Sequence, residues 1–407
     1  MGDKIRKSPN IRFVGFTDVW EQREFGEIIN ERREKTKVEN EDTLLSCAID
    51  GIYLNSELFS HFRGTSNIGY LKVRKNDMIL SAQNLHLGNC NINKRFEHGI
   101  ISPAYKVYSL VGVDSDFMHA WIKKDTTKQF FEKASTEGAS VCRKNIEWGT
   151  LYNQKMYIPS YDEQQKIGSL FNELDKAITL HQRKLELLKV TKKSMLQKMF
   201  PKDGGSIPEI RFAGFTGDWE QRELNKYIET SKVKNSDDKY TKNDVLSVSG
   251  EVGVVNQIEF QGRSFAGVSV RNYGVVDTGN IVYTKSPLKL NPHGIIKTNK
   301  GKAGIVSTLY AVYKAKENTN PNFVHYYFEY DYRLNKYLKP LVNKGAKNDM
   351  KVSDNNALLG LVMFPSYDEQ AKISEFFESL DNLITTQQSE LDLLKNLKKS
   401  MLQQMFI

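Results

Sequence analysis

Cysteine is scarce in this 407-residue chain. Cys47, Cys90 and Cys142 are scattered and include no CxxC pair. That excludes a disulfide frame and a cysteine zinc site, and leaves small buried hydrophobes in a reducing compartment. Long apolar runs are missing too. No segment approaches the roughly 18 unbroken apolar residues of a membrane span. The opening "MGDKIRKSPNIRF" has no run like that of a signal peptide. A cytoplasmic chain with no membrane association is expected. The seven histidines offer no HExxH or paired-ligand spacing, so no metal is expected. Phosphate-binding loops are absent as well. Gly301-Lys302 is followed by Ala303 and lacks the upstream glycine, and no GxGxxG follows a strand. Asn291-Pro-His-Gly is not the Asn-Pro-Pro-aromatic tetrad of amino-methylating enzymes. These gaps leave the search for catalysis mostly negative.

What is present is positive charge and repetition. The formal charge is +9, which suits a polyanionic partner. The stretch "PSYDEQQKIGSLFNELDKAITL" from Pro159 returns as "PSYDEQAKISEFFESLDNLITT" from Pro365. About 26 of 42 positions match between 159–200 and 365–406. Upstream, "PNIRFVGFTDVWEQREF" from Pro9 returns as "PEIRFAGFTGDWEQREL" from Pro208. "GIISPAYKVY" from Gly99 pairs with "GIVSTLYAVY" from Gly304, and "FMHAW" from Phe117 with "FVHYY" from Phe323. A repeat of this length sets the architecture before any local reading. Two variable segments, 1–158 and 202–364, alternate with two nearly constant ones, 159–201 and 365–407.

The constant segments predict long helices. Ser160-x-x-Glu163 and Ser366-x-x-Glu369 have capping-box spacing. Apolar residues then step by four and three. They run Ile167, Phe171, Leu174, Ile178, His181, Leu185, Leu188 in one copy and Ile373, Phe377, Leu380, Ile384, Gln387, Leu391, Leu394 in the other. That is a coiled-coil seam. Its polar breaks, His181 and Gln387, then Lys192 and Lys398, suit the choice of pairing. The linker "PKDGGSI" (201–207) is too short to return along a helix of roughly 60 Å, so an antiparallel pair is expected. Apolar residues beside the seam (Leu170, Ala177, Leu187 and Leu196; Phe376, Leu383, Leu393 and Leu402) suit either packing on the variable segments or a docking face for partner helices.

The variable segments mix strand-like and helix-like stretches, which predicts α+β domains. Their loops collect cations: Lys94 and Arg95, Arg143 and Lys144, then Lys285, Lys289, Lys297, Lys300 and Lys302, and Lys344, Lys347 and Lys351. Lysine and arginine among glycines suit phosphate contacts, with solvated loops as the plain alternative.

"RFxGFTxxWEQRE", "PSYDEQxKI", "LDxxIT" and "LLKxxKKSMLQxMF", each present twice, resemble the specificity subunit of type I restriction–modification systems. The resemblance covers essentially the whole chain. It implies two target-recognition domains, each reading half of a split site on double-stranded DNA, joined by two helices in an antiparallel coiled coil. It also implies partners: two methyltransferase subunits docked on the helices and restriction/translocase subunits outside them. S-adenosylmethionine, ATP and Mg2+ would bind those partners, with no cofactor in this chain. A spacer of roughly 50–60 Å spans about 15 base pairs. The competing expectation is a coiled-coil scaffold or adaptor that reads no DNA.

Overall fold

A computed structural model describes residues 8–60, 66–140, 143–344 and 350–407. The chain divides into two units, 1–183 with 389–407, and 184–388. The fold is α+β, as expected, and the two units share one topology. The units do not end where the long helices begin. Each takes in half of both.

In the first unit a four-stranded antiparallel sheet runs in the order Ile29–Arg32, Tyr105–Leu110, Met78–Ser81, Cys90–Ile92. In the second, the order Ile228–Thr230, Tyr310–Ala315, Ile281–Thr284, Ile295–Thr298 repeats it. Alternate residues of a strand face opposite sides, and here both sides are covered. Met78 and Leu80 enter the main core, while Ile79 enters a smaller one with Leu45, Val73 and Val107. Ile281 and Tyr283 split from Val282 in the same way.

The long helices are Tyr161–Lys198 and Tyr367–Gln404. Each follows a strand, Lys155–Ile158 or Leu361–Phe364, that pairs antiparallel with the "EQRE" strand of its unit. Glu21 faces Ile158, and Glu220 faces Phe364. The first repeated motif is therefore paired to the strand that leads directly into the second. No helix among the described residues is long and apolar enough to cross a membrane.

An aromatic quartet explains why four distant motifs recur together. In the first unit Trp20, Phe117, Phe171 and Phe406 meet, with ring centroids 5.3–6.3 Å apart. In the second, Trp219, Phe323, Phe377 and Phe200 do the same at 5.6–6.1 Å. Each quartet takes its last ring from the helix that began in the other repeat. Such pairs contribute about 0.5–1.5 kcal/mol each beyond their buried area.

Glycine is placed where backbone demands it. Gly168, the single glycine in the first long helix, lies against the start of Ser115–Ile122. A Cβ there would stand 2.7 Å from Phe117 N. Gly294 holds φ +89° before the strand Ile295–Thr298, and a Cβ would reach 2.0 Å from Thr284 O.

Candidate nucleic-acid interface and helix seam

The cationic loops are more structured than their composition suggests. The stretch Thr284–Gly304 is not one loop, because Ile295–Thr298 is a paired strand inside it. Lys297 sits on that strand at 5% exposure, with Glu329 4.0 Å away. Burial lowers its pKa. Its place among the DNA contacts is therefore corrected: it is a core lysine.

Lys94 and Lys300 hold the same position in the two repeats, and both turn inward. Lys94 donates to Ser115 Oγ at 2.6 Å and Asn76 Oδ1 at 2.9 Å, and pairs with Asp116 at 2.6 Å. Lys300 donates to Tyr326 Oη at 2.6 Å and lies 4.3 Å from that ring's centre, with Glu378 at 3.9 Å. Burial lowers its pKa as well. Both tie their loop to the short helix of their own unit, and Lys300 also reaches the long helix through Glu378.

Arg95 forks onto Glu57 at 2.6 and 2.7 Å, Lys144 pairs with Glu132 at 3.1 Å, and Lys285 pairs with Asp354 at 2.5 Å. Lys289 and Lys302 are exposed and pair with no carboxylate among the described residues. Arg143 opens the strand Arg143–Ile146. Lys344 and Lys351 lie on the hairpin Asn343–Lys344/Met350–Lys351. The side chains of Arg143, Lys344 and Lys351, and the whole of Lys347, lie outside the described residues.

One repeat position shows how the units diverge within a shared frame. Lys123 of the first unit donates to Asn91 Oδ1 at 2.6 Å. At the matching places in the second unit stand Glu329 and Lys297. The cation has changed sides.

The helix seam forms in each unit. Ile167, Phe171, Leu185, Ile373, Phe377, Leu380, Gln387 and Leu391 are buried. Leu174, Ile178, His181, Leu188, Ile384 and Leu394 are half-buried. Direction can be read within each unit. In the first, Asp175 pairs with Lys398, and His181 Nδ1 lies 3.5 Å from Glu390. In the second, Lys192 pairs with Asp381 at 2.6 Å, and Phe200 stacks on Phe377. Ascending one helix descends the other, so the pairing is antiparallel.

The seam lysines have carboxylate partners that the heptad reading missed. Lys192 pairs with Glu329 at 2.8 Å as well as with Asp381. Burial works to lower its pKa, but those two carboxylates outweigh it and the net shift is upward. Asp175 and Asp381 belong to the repeated "LDxxIT", so their recurrence opposite two recurring lysines was a usable signal.

The capping-box reading needs a second correction. Glu163, fully buried, takes Arg12 with both oxygens at 2.7 Å, and Glu369 takes Arg211 identically. The neighbouring glutamines finish each helix start. Gln164 Nε2 donates to Pro159 O and Gln370 Nε2 to Pro365 O, both at 3.0 Å.

Beside the seam, Leu196 and Leu402 are buried in the cores, and Leu170 and Phe376 pack against them. Leu187, Leu383 and Leu393 remain 54–69% exposed. Leu180 and Val190 are exposed as well. The side stripe is thus divided between domain packing and open surface.

No family model matches the chain. It is 24% identical over 363 residues to the provisionally named type I restriction enzyme MjaX specificity subunit of Methanocaldococcus jannaschii, covering 85% of this chain and 76% of that one. It is 21% identical over 364 residues to the type I restriction enzyme MjaVIII specificity subunit of the same organism, covering 86% and 82%. The fold resembles the crystal structure of a type I restriction–modification S subunit from M. genitalium. That match has TM-score 0.59 at 12% identity and covers 98% of this chain and 99% of that one.

Proposed function

From its kinship in sequence and fold with type I specificity subunits, we propose that this chain is the DNA-reading subunit of a type I restriction–modification complex. Each unit reads one half of a split, non-palindromic target. The exposed leucines of the long helices dock methyltransferase subunits, and restriction/translocase subunits complete the assembly. S-adenosylmethionine, ATP and Mg2+ bind those partners, and this chain contributes recognition rather than catalysis.

One observation carries the reading. A single frame of sheet, strand clamp, Arg–Glu fork and aromatic quartet is built twice, while the loops around it differ in charge and length. A duplicated frame with unlike surfaces suits two readers of two sequences. A symmetric scaffold gains nothing from that divergence.

The test is an exchange of residues 1–158 for those of a related chain, in cells that also carry the partner subunits. Mapping the methylated sequences should show one half-site changed and the other kept. Change in both halves, or in neither, defeats the modular reading. Duplex binding by the assembled complex should also weaken steeply with salt, since phosphate contacts release counterions. Salt-insensitive assembly without DNA binding would favour the scaffold.

A further inference from the structure

We propose that the loop Gly262–Arg271 is the base-contacting element of the second unit, with Arg263 and Phe265 as its specificity-determining residues. This rests on the DNA-reading function proposed above.

The loop follows the short helix Gln257–Gln261 and leaves it through Gly262 at φ +77°. It is held at both ends. Phe265 N donates to Gln257 Oε1 at 2.6 Å, and Gln257 Nε2 in turn donates to Ser247 Oγ at 3.1 Å. Val270 is buried with Val245 and Ile305, and Ala266 packs against that cluster. Between these anchors the side chains point out. Phe265 is 58% exposed and Val268 96%. Arg263 lies 4.6 Å from the centre of the Phe265 ring and pairs with no carboxylate among the described residues.

Exposed aromatic and aliphatic side chains on an anchored loop mark a contact surface. The charge around it selects the partner. From Gln261 to Leu309 the sequence has seven lysines and arginines against one acid, Asp277. Two segments of that stretch lie together. Phe265 and Ala266 line a cavity of about 360 Å³ with Ser307, Thr308 and Leu309, and Leu309 O accepts from Lys285 N at 2.9 Å. Exposed Lys289 lies four residues beyond Lys285. A polyanion that also offers flat apolar faces fits this surface, and duplex DNA is such a partner. A guanidinium that lies over a ring and has no carboxylate partner among the described residues keeps its fork for a ligand, and such a fork suits guanine O6 and N7. Phenylalanine and valine beside it match thymine methyls or a base step.

Composition singles out loops rich in lysine. This one has none, so its composition gives no cationic signal beyond Arg263 and Arg271. Its exposed arginine is better suited to reading bases than the inward lysines at 94, 297 and 300.

The experiment uses the full chain assembled with its methyltransferase and restriction partners. Arg263→Lys, Arg263→Ala and Phe265→Ala are compared with wild type for methylated sequences and for duplex affinity. Arg263→Lys keeps the charge and loses the fork. It should relax one base of the half-site read by the second unit, with discrimination falling about 5- to 150-fold. The other half-site should stay intact. Phe265→Ala should weaken binding to that half-site alone. Unchanged half-sites and rates in all three variants overturn the proposal. So does a Phe265→Ala complex that loses a protein subunit while keeping its target. If the wild-type complex methylates no split sequence, the function proposed above fails first, and the loop proposal with it.

Discussion

At the scale of single residues, a buried carboxylate organises each unit. Glu163 and Glu369 are almost fully enclosed, and each is satisfied by an arginine from the "RFxGFT" motif some 150 residues earlier. Removing one partner of a buried pair leaves the other charge stranded, which costs about 3–5 kcal/mol. Arg12 keeps a little solvent contact, so the lower end applies. Arg12→Ala should therefore destabilise the first unit by about 3 kcal/mol, and Arg211→Ala should act equally on the second. Hydrogen exchange resolved by unit is the measurement: loss of protection should concentrate in the unit that carries the substitution. An even loss across both would show that the pair is not local in its effect.

At the scale of elements, the long helices were plain in the sequence because 38 residues with one period leave no rival reading. The strands at "IVYT" and "YAVYKA" were legible from β-branched and aromatic content. The "EQRE" clamp was not, since four polar residues show no apolar alternation, and its partner strand lies over 130 positions away. Lys297 was misplaced for a similar reason. Composition reports polarity, but its neighbour Glu329 comes from another element. Likewise the seam lysines looked like isolated breaks until Asp175 and Asp381 stood opposite them. That opposition makes a testable claim about register. Lys398→Asp should place two acids side by side and destabilise the first unit. Adding Asp175→Lys should restore it, with a coupling of about 1–3 kcal/mol in a thermal double-mutant cycle. Additive losses would mean that the pair merely coexists on the seam.

At the scale of the whole molecule, each unit is completed by a helix end that the other repeat supplies. The first unit takes Leu391, Lys398, Leu402, Met405 and Phe406 from the second helix. The first helix has Leu185, Lys192, Leu196, Met199 and Phe200 at the matching positions, identical in type at every one. A fragment of residues 1–207 therefore carries an incomplete unit and, on the same chain, a substitute for what is missing. Left alone it would expose the quartet face of Trp20, Phe117 and Phe171, and loss of one such ring costs about 3–5 kcal/mol. Two copies can each lend Phe200 to the other. The substitution is imperfect at one place, where His181 would meet Lys184 instead of Glu390. The expected outcome is a dimer by light scattering, abolished by Phe200→Ala. On the function proposed above, that dimer with partner subunits should direct methylation to an inverted repeat of the first half-site. A folded monomer of 1–207 that retains full stability would show that the exchanged helix end is dispensable, and with it the aromatic quartet as the closing contact of each unit.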